Sequence, residues 1–147
     1  MLIYGNPSVT VTYDDSVPCI VWTPLQFMKN EEWRTPFLKG LEFLAGKIKS
    51  TPKITWLNDT RKLKMVGIED LNWLNKNVND PCFKLGLRKV GFVLPENVFG
   101  KMAVRFYVDY TNKRTDNLFQ IKAFQNYSDA EAWLSEKVTA GIQEVKL

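Results

Sequence analysis

The sequence predicts a single α/β domain over residues 1–147, built on a five-stranded, mixed but mostly parallel sheet with an N-terminal hairpin and about four helices, in the order β-β-α-β-α-β-α-β-α. Three observations carry this. Residues Ser8 to Tyr13 alternate, Phe37, Leu41, Leu44 and Ile48 recur at helical spacing, and Val90 to Leu94 is a continuous apolar run. Strands alternating with helices imply right-handed crossovers and parallel neighbours. A chain of 147 residues, 45% hydrophobic and 24% charged, has the size and composition of one globular core and needs no disulfide or metal to hold it.

The hairpin comes first. Val9, Val11 and Tyr13 share one side of a strand, Asp14-Asp15-Ser16 makes the turn, and Cys19-Ile20-Val21-Trp22 is the partner strand. Thr35 followed by Pro36 predicts a helix start, because the hydroxyl caps free N–H groups and proline loses nothing at the first helical position. Gly40 and Gly46 weaken this helix, so it must be held by packing on the sheet, and Pro52 ends it. Trp33 precedes that start beside Glu31-Glu32 and is expected to be an exposed aromatic and a contact site.

Lys53 to Leu57 is a β-type run that closes on Asn58-Asp59-Thr60-Arg61 at the strand's carboxyl end, where ligand crevices form in open α/β sheets. A second helix is expected over Ile68 to Val78, with Leu71, Leu74 and Val78 on one face, Glu69-Asp70 favoured by the helix dipole, and Asn79-Asp80-Pro81 stopping it. Val90 to Leu94, bounded by Arg88-Lys89 and Pro95, reads as a central strand covered on both faces. From Phe99, the spacing of Met102, Ala103, Phe106, Tyr107 and Tyr110 predicts a helix, although Val104 to Tyr110 is also rich in strand formers. A polar turn is expected over Thr111 to Asn117 and a strand over Leu118 to Phe124. Ser128-Asp129-Ala130-Glu131 then reads as a capping box opening a last helix with Ala130, Trp133, Leu134 and Val138 buried.

The absence of histidine removes the commonest general base and metal ligand, and with it Ser-His and Cys-His nucleophile chemistry. Cys19 and Cys82 are isolated, so no zinc set can be drawn and both thiols are expected reduced. No Gly-rich phosphate loop, EF-hand pattern or acidic cluster is visible. The expectation is therefore a chain without catalytic residues, metal or cofactor. Acid/base work by Asp59 with Glu69 or Asp70 is the one enzymatic alternative, and each of these acids also has an ordinary role as a loop or helix-start acid. No run of about 18 apolar residues predicts a membrane span, and no charged-then-apolar leader is seen, so a cytoplasmic location is expected. A net charge of +4, with dispersed basic residues, names neither nucleic acid nor membrane as a partner. Gln120 to Phe124 lacks the basic-Gly-aromatic run of RNA-recognition strands, which argues further against nucleic acid.

The segment Trp56 to Arg61, the following helix with Asp70, the strand ending Leu94-Pro95, and Phe124 followed by Asp129-Ala130-Glu131-Ala132-Trp133-Leu134 together resemble the STAS-like, sporulation anti-sigma-factor-antagonist-like family. The similarity in element order runs from Ser8 to Lys137. It implies a non-enzymatic regulatory or protein-interaction module on a five-stranded sheet, related in architecture to CRAL-TRIO lipid-binding proteins, so an apolar small molecule is the alternative ligand. In regulatory members a phosphorylatable hydroxyl opens the helix after the third strand. Here that place holds Ile68-Glu69-Asp70 and the nearest hydroxyl is Thr60, which argues against the usual phospho-switch. The expected binding surface is Asn58, Asp59, Thr60 and Arg61 with Ile68, Glu69 and Asp70, brought together at the carboxyl edge of the sheet to meet a protein partner or a second copy.

Overall fold

A computed structural model describes residues 1–115, 119–136 and 141–146. Its strands are β1 (Leu2–Asn6), β2 (Val9–Asp14), β3 (Cys19–Pro24), β4 (Thr55–Asp59), β5 (Lys89–Val93), β6 (Gln120–Phe124) and β7 (Glu144–Val145). They form one seven-stranded sheet in chain order, not the five strands expected. The two extra strands lie at the edges. β1 is short and half exposed and pairs with β2 across a turn in which the Asn6 side chain accepts from the N–H groups of Ser8 and Val9. β7 is two residues against the end of β6. These additions also correct the balance of the sheet: β3 to β6 are parallel neighbours, while β1–β2, β2–β3 and β6–β7 are antiparallel.

The helices are α1 (Glu31–Lys47), α2 (Ile68–Leu74), α3 (Asp80–Leu85), α4 (Val98–Thr115) and α5 (Tyr127–Leu134). A π turn over Asn75–Asn79 joins α2 to α3 without a break, so the described residues hold four helical stretches. Chain-order parallel strands joined by right-handed crossovers put α1, α2–α3 and α4 on one face of the sheet, and α5 takes the other. Two cores result. The larger joins Val9, Val11, Ile20, Trp22, Trp56, Val90 and Phe92 to the crossover helices. The smaller packs Cys19, Val21, Leu57, Val93 and Phe124 under Ala130 and Leu134 of α5. β5 thus faces a core on both sides, as its continuous apolar run predicted.

Several local expectations are corrected. α1 begins at Glu31, not at Thr35-Pro36. Its first turn gains from the acids Glu31 and Glu32, and it carries Trp33 inward so that the ring is only 3% exposed. Trp33 is therefore core, not a contact site. It meets the Trp22 ring edge-on at 5.1 Å, and Phe37 stacks on Trp22 at 4.5 Å. The second helix does not stop at Asn79-Asp80-Pro81. In the π turn the Asp80 N–H reaches back to the Asn75 carbonyl, and this wider turn accommodates a proline that a regular helix interior rejects. Residues 111–115 continue α4 instead of forming a polar turn, because the Thr111 hydroxyl is buried and donates to Asn75 Oδ1 at 2.9 Å. At α5 the cap is Asn126, whose side chain accepts from the Asp129 N–H, and Ser128 donates to Asn126 instead of capping. Trp133 is half-buried, while Val138 and residues 116–118 lie outside the described residues.

Candidate functional site

Period-two alternation divides the end of β4 between the two faces. Asn58 follows Trp56 onto the crossover-helix side, buried, and its Oδ1 accepts from the Trp56 indole N–H at 2.9 Å. Asp59 follows Leu57 onto the α5 side. It is 5% exposed and accepts from Arg61 Nε at 2.8 Å and Nη2 at 2.7 Å, the two-point pairing that fits a guanidinium to a carboxylate. Hydrogen bonding to Asp59 raises the Arg61 pKa above its ordinary value, and the guanidinium lies 5.6 Å over the Tyr127 ring. Burial and then neighbouring acidic groups push the Tyr127 hydroxyl up to about 12. Thr60 is 1% exposed, and both its N–H and its hydroxyl donate to the Val93 carbonyl, tying the ends of β4 and β5 together.

The helix-start residues separate from this group. Asp70 is 5% exposed on α2 and faces Arg34 of α1, with Arg34 Nε to Asp70 Oδ1 at 3.5 Å and the Arg34 guanidinium over Trp73. Glu69 and Ile68 point outward, with Ile68 72% exposed. The expected single surface is thus divided: Asp59 and Asp70 lie on opposite faces of the sheet, each buried against its own arginine. Arg61, Ile68 and Glu69 are exposed, while Asn58, Asp59, Thr60 and Asp70 hold the framework beneath. The crossover from β4 into α2 passes over one face only, and this is why adjacency in the chain did not become adjacency of the carboxylates.

What the sequence reading missed is the apolar surface beside this framework. On α4 the expected face is half inverted: Ala103, Val104, Tyr107 and Val108 are buried, whereas Phe99, Met102, Phe106 and Tyr110 are exposed, Phe99 by 75% and Phe106 by 58%. Tyr107 fixes this rotation. Its ring packs at 5.3 Å from Phe92 and its hydroxyl donates to Asn79 Oδ1 at 3.0 Å, so the neighbouring Phe106 must turn away. The loop over residues 60–67, which carries the exposed Met65, is fastened to the first turn of α4. Asn97 Nδ2 donates to the Leu63 carbonyl at 2.9 Å, Asn97 Oδ1 accepts from the Gly100 N–H, and a Cβ at Gly100 would collide with that same carbonyl. The signal was present in the sequence: nine of the thirteen residues 98–110 are apolar, more than one buried face can use.

Enclosed space at this edge is small. A cavity of about 20 Å³ lies among Trp22, Trp33, Asn58, Thr60 and Phe92, and a second of about 20 Å³ lies beside it near Trp56 and Cys82. Each has room for roughly one water molecule, not an acyl chain. A larger cavity of about 330 Å³ opens at the amino edge of the sheet, where Glu136 bridges Lys53 at 3.6 Å and Lys89 at 3.7 Å. Among the described residues no three Cys, Asp or Glu side chains converge to hold a metal ion, and no helix is long and apolar enough to cross a membrane. Comparison of the chain with protein-family models, curated proteins and solved structures gives no match.

Proposed function

We propose that this chain is a non-catalytic protein-interaction module of STAS-like type, without the usual phospho-switch, whose contact surface is the outer face of α4 with the adjoining strand-end turn and α2 start. The observation that carries the reading is the row of exposed apolar side chains at Phe99, Met102, Phe106 and Tyr110, with Val98 exposed at the start of the same helix and Met65 exposed on the loop fastened to it. Contiguous exposed apolar area of this kind marks contact sites on soluble domains, whereas single exposed leucines do not. Arg61 at the strand-end turn and Glu69 at the α2 start are exposed charges beyond the apolar row. The buried Thr60 hydroxyl, bonded to the Val93 carbonyl, supports a contact surface that phosphorylation does not govern. Asp59 and Asp70, each paired with an arginine, fit a framework role better than acid/base catalysis.

The test is site-specific photo-crosslinking in the producing cell, with benzoyl-phenylalanine at Phe99 or Phe106 and at exposed Lys76 as the control. Discrete adducts from positions 99 and 106 and none from 76 are expected. Absence of any adduct from α4, or the same adducts from position 76, would overturn the reading.

A further inference from the structure

We infer that the partner seated on this surface is a second copy of the chain, docked through α4 in antiparallel fashion about a two-fold axis. The inference rests on the interaction-surface reading and deepens it by naming the occupant. At 100° per residue, the exposed half of α4 divides into two lanes. One is apolar, with Phe99, Met102, Phe106 and Tyr110. The other is charged, with Lys101, Arg105 and Asp109 spaced four apart and all exposed. On the far side of the apolar lane lie Ala103 and Tyr107, buried in their own domain, so the charged lane is the open flank.

When two identical helices pair antiparallel about a two-fold axis, like flank faces like flank and residue levels run in opposite directions. With the axis at Phe106, that ring meets its own copy, and Met102 stands level with Tyr110 of the other chain. On the charged flank Asp109 falls at the level of residue 103 of the other chain, between its Lys101 and Arg105, about 3 Å of helical rise from each. Both copies make the same arrangement. The charged lanes therefore meet, and meet in complementary register, only when the helices are antiparallel, because a parallel two-fold pair would set each charged lane against the opposite, Ala103 and Tyr107 flank of the other helix. An anionic lipid surface fits less well, since Asp109 would face the headgroups. A contact of essentially one helix on one helix lies toward the small end of specific interfaces, so the expected affinity is on the order of micromolar.

Sedimentation velocity over a wide concentration range tests this with charge variants at exposed positions, where the fold is not at stake. The parent chain should self-associate. Asp109→Lys alone, and Lys101→Asp with Arg105→Asp, should each weaken association about tenfold or more, which corresponds to about 1.4 kcal/mol. Mixing the two variants should restore a heterodimer, since each then supplies the opposite lane. A chain monomeric at every concentration overturns the inference, and so does association that ignores the charge variants. If the chain is monomeric yet photo-crosslinks from Phe106 to a different protein, the second-copy inference fails while the interaction reading stands. If phosphatidylserine vesicles bind a monomer through Phe99 and Phe106, both fail, as they do if no adduct and no self-association are found.

Discussion

The two faces of the sheet solve the same problem with unequal means. On one, three crossovers lay α1, α2–α3 and α4 over an aromatic cluster in which Phe37 sits between Trp22 at 4.5 Å and Trp56 at 6.4 Å, with Trp33 edge-on to Trp22. The fit is tight enough that a Cβ at Gly40 would run into the Trp56 indole. On the other, among the described residues, the short helix α5 with Ile142 beside it covers Cys19, Val21, Leu57 and Phe124. The difference follows from strand order: chain-order parallel strands with right-handed crossovers must put every crossover helix on one side. Stability should therefore be concentrated in the aromatic face, and local opening in the face covered by α5.

The largest break in that comparison is Trp22→Ala. Removing a ring that is 2% exposed and touches both Trp33 and Phe37 should cost about 3–5 kcal/mol, read from denaturant midpoints. A loss below about 1 kcal/mol would mean the aromatic face is not the stabilising one.

Alkali challenges both faces together, because each buries one thiol. Desolvation pushes Cys19, under α5, and Cys82, in the larger core, up to about 12, and it raises Tyr107 as well. Unfolded thiols ionise near about 8.5, so the folded state holds protons that the unfolded state has lost. This contribution to stability is complete below about pH 8.5 and disappears as pH climbs toward about 12. The thermal midpoint should fall across that window. A midpoint flat to the top of it would contradict the burial of both thiols.

A smaller effect sharpens the contrast. Trp133 on α5 is only half-buried, 5.8 Å from Phe124, with the Lys89 and Lys122 ammonium groups over its ring. Trp133→Ala should cost about 1–2 kcal/mol, less than the Trp22→Ala effect, by the same denaturant measurement. Equal costs would remove the asymmetry. Native-state thiol labelling gives a finer reading. Cys19 should react before Cys82, since it lies under the short helix α5 and not under the crossover helices, and Cys82→Ser and Cys19→Ser chains identify which thiol is modified. The reverse order would place the weak point under the crossover helices.

How much of this could be read from residues alone depended on how far local pattern determined the outcome. The β2–β3 hairpin and β5 were legible because strict alternation and a continuous apolar run each have one economical interpretation. β1 was not, because Leu2 to Asn6 is short and gains its place from pairing with β2 and from packing Ile3 and Tyr4 against the larger core. Trp33 was misjudged because Pro36 marked a helix start too strongly, when the buried aromatic cluster made the earlier turn worth forming. For the candidate site, a strand end close to Asn58 to Arg61 was legible, but β4 runs Thr55–Asp59, two residues later than the expected Lys53 to Leu57, so Asn58 and Asp59 belong to the strand instead of the turn. The burial of Asp59 and Asp70 by Arg61 and Arg34 was not, since those pairings depend on which face of the sheet each element crosses. On α4 the helix was predicted and its rotation was not. Nine apolar residues between Val98 and Tyr110 allow more than one buried face, and the contacts of Tyr107 with Phe92 and Asn79 and of Thr111 with Asn75 select one.

That rotation is the central claim, and the concentration dependence of the thermal midpoint tests it most directly, with the parent chain and Phe99→Ser/Phe106→Ser measured side by side. Folding linked to association makes the midpoint rise with chain concentration. The account predicts such a rise for the parent. For the double variant it predicts a midpoint that does not change with concentration and coincides with the parent's dilute limit, because exposed residues contribute within about 0.5 kcal/mol to the isolated fold. A variant midpoint far below the parent's at high dilution would contradict the account by making Phe99 and Phe106 core residues. A parent midpoint independent of concentration would contradict it by leaving the face without a second copy.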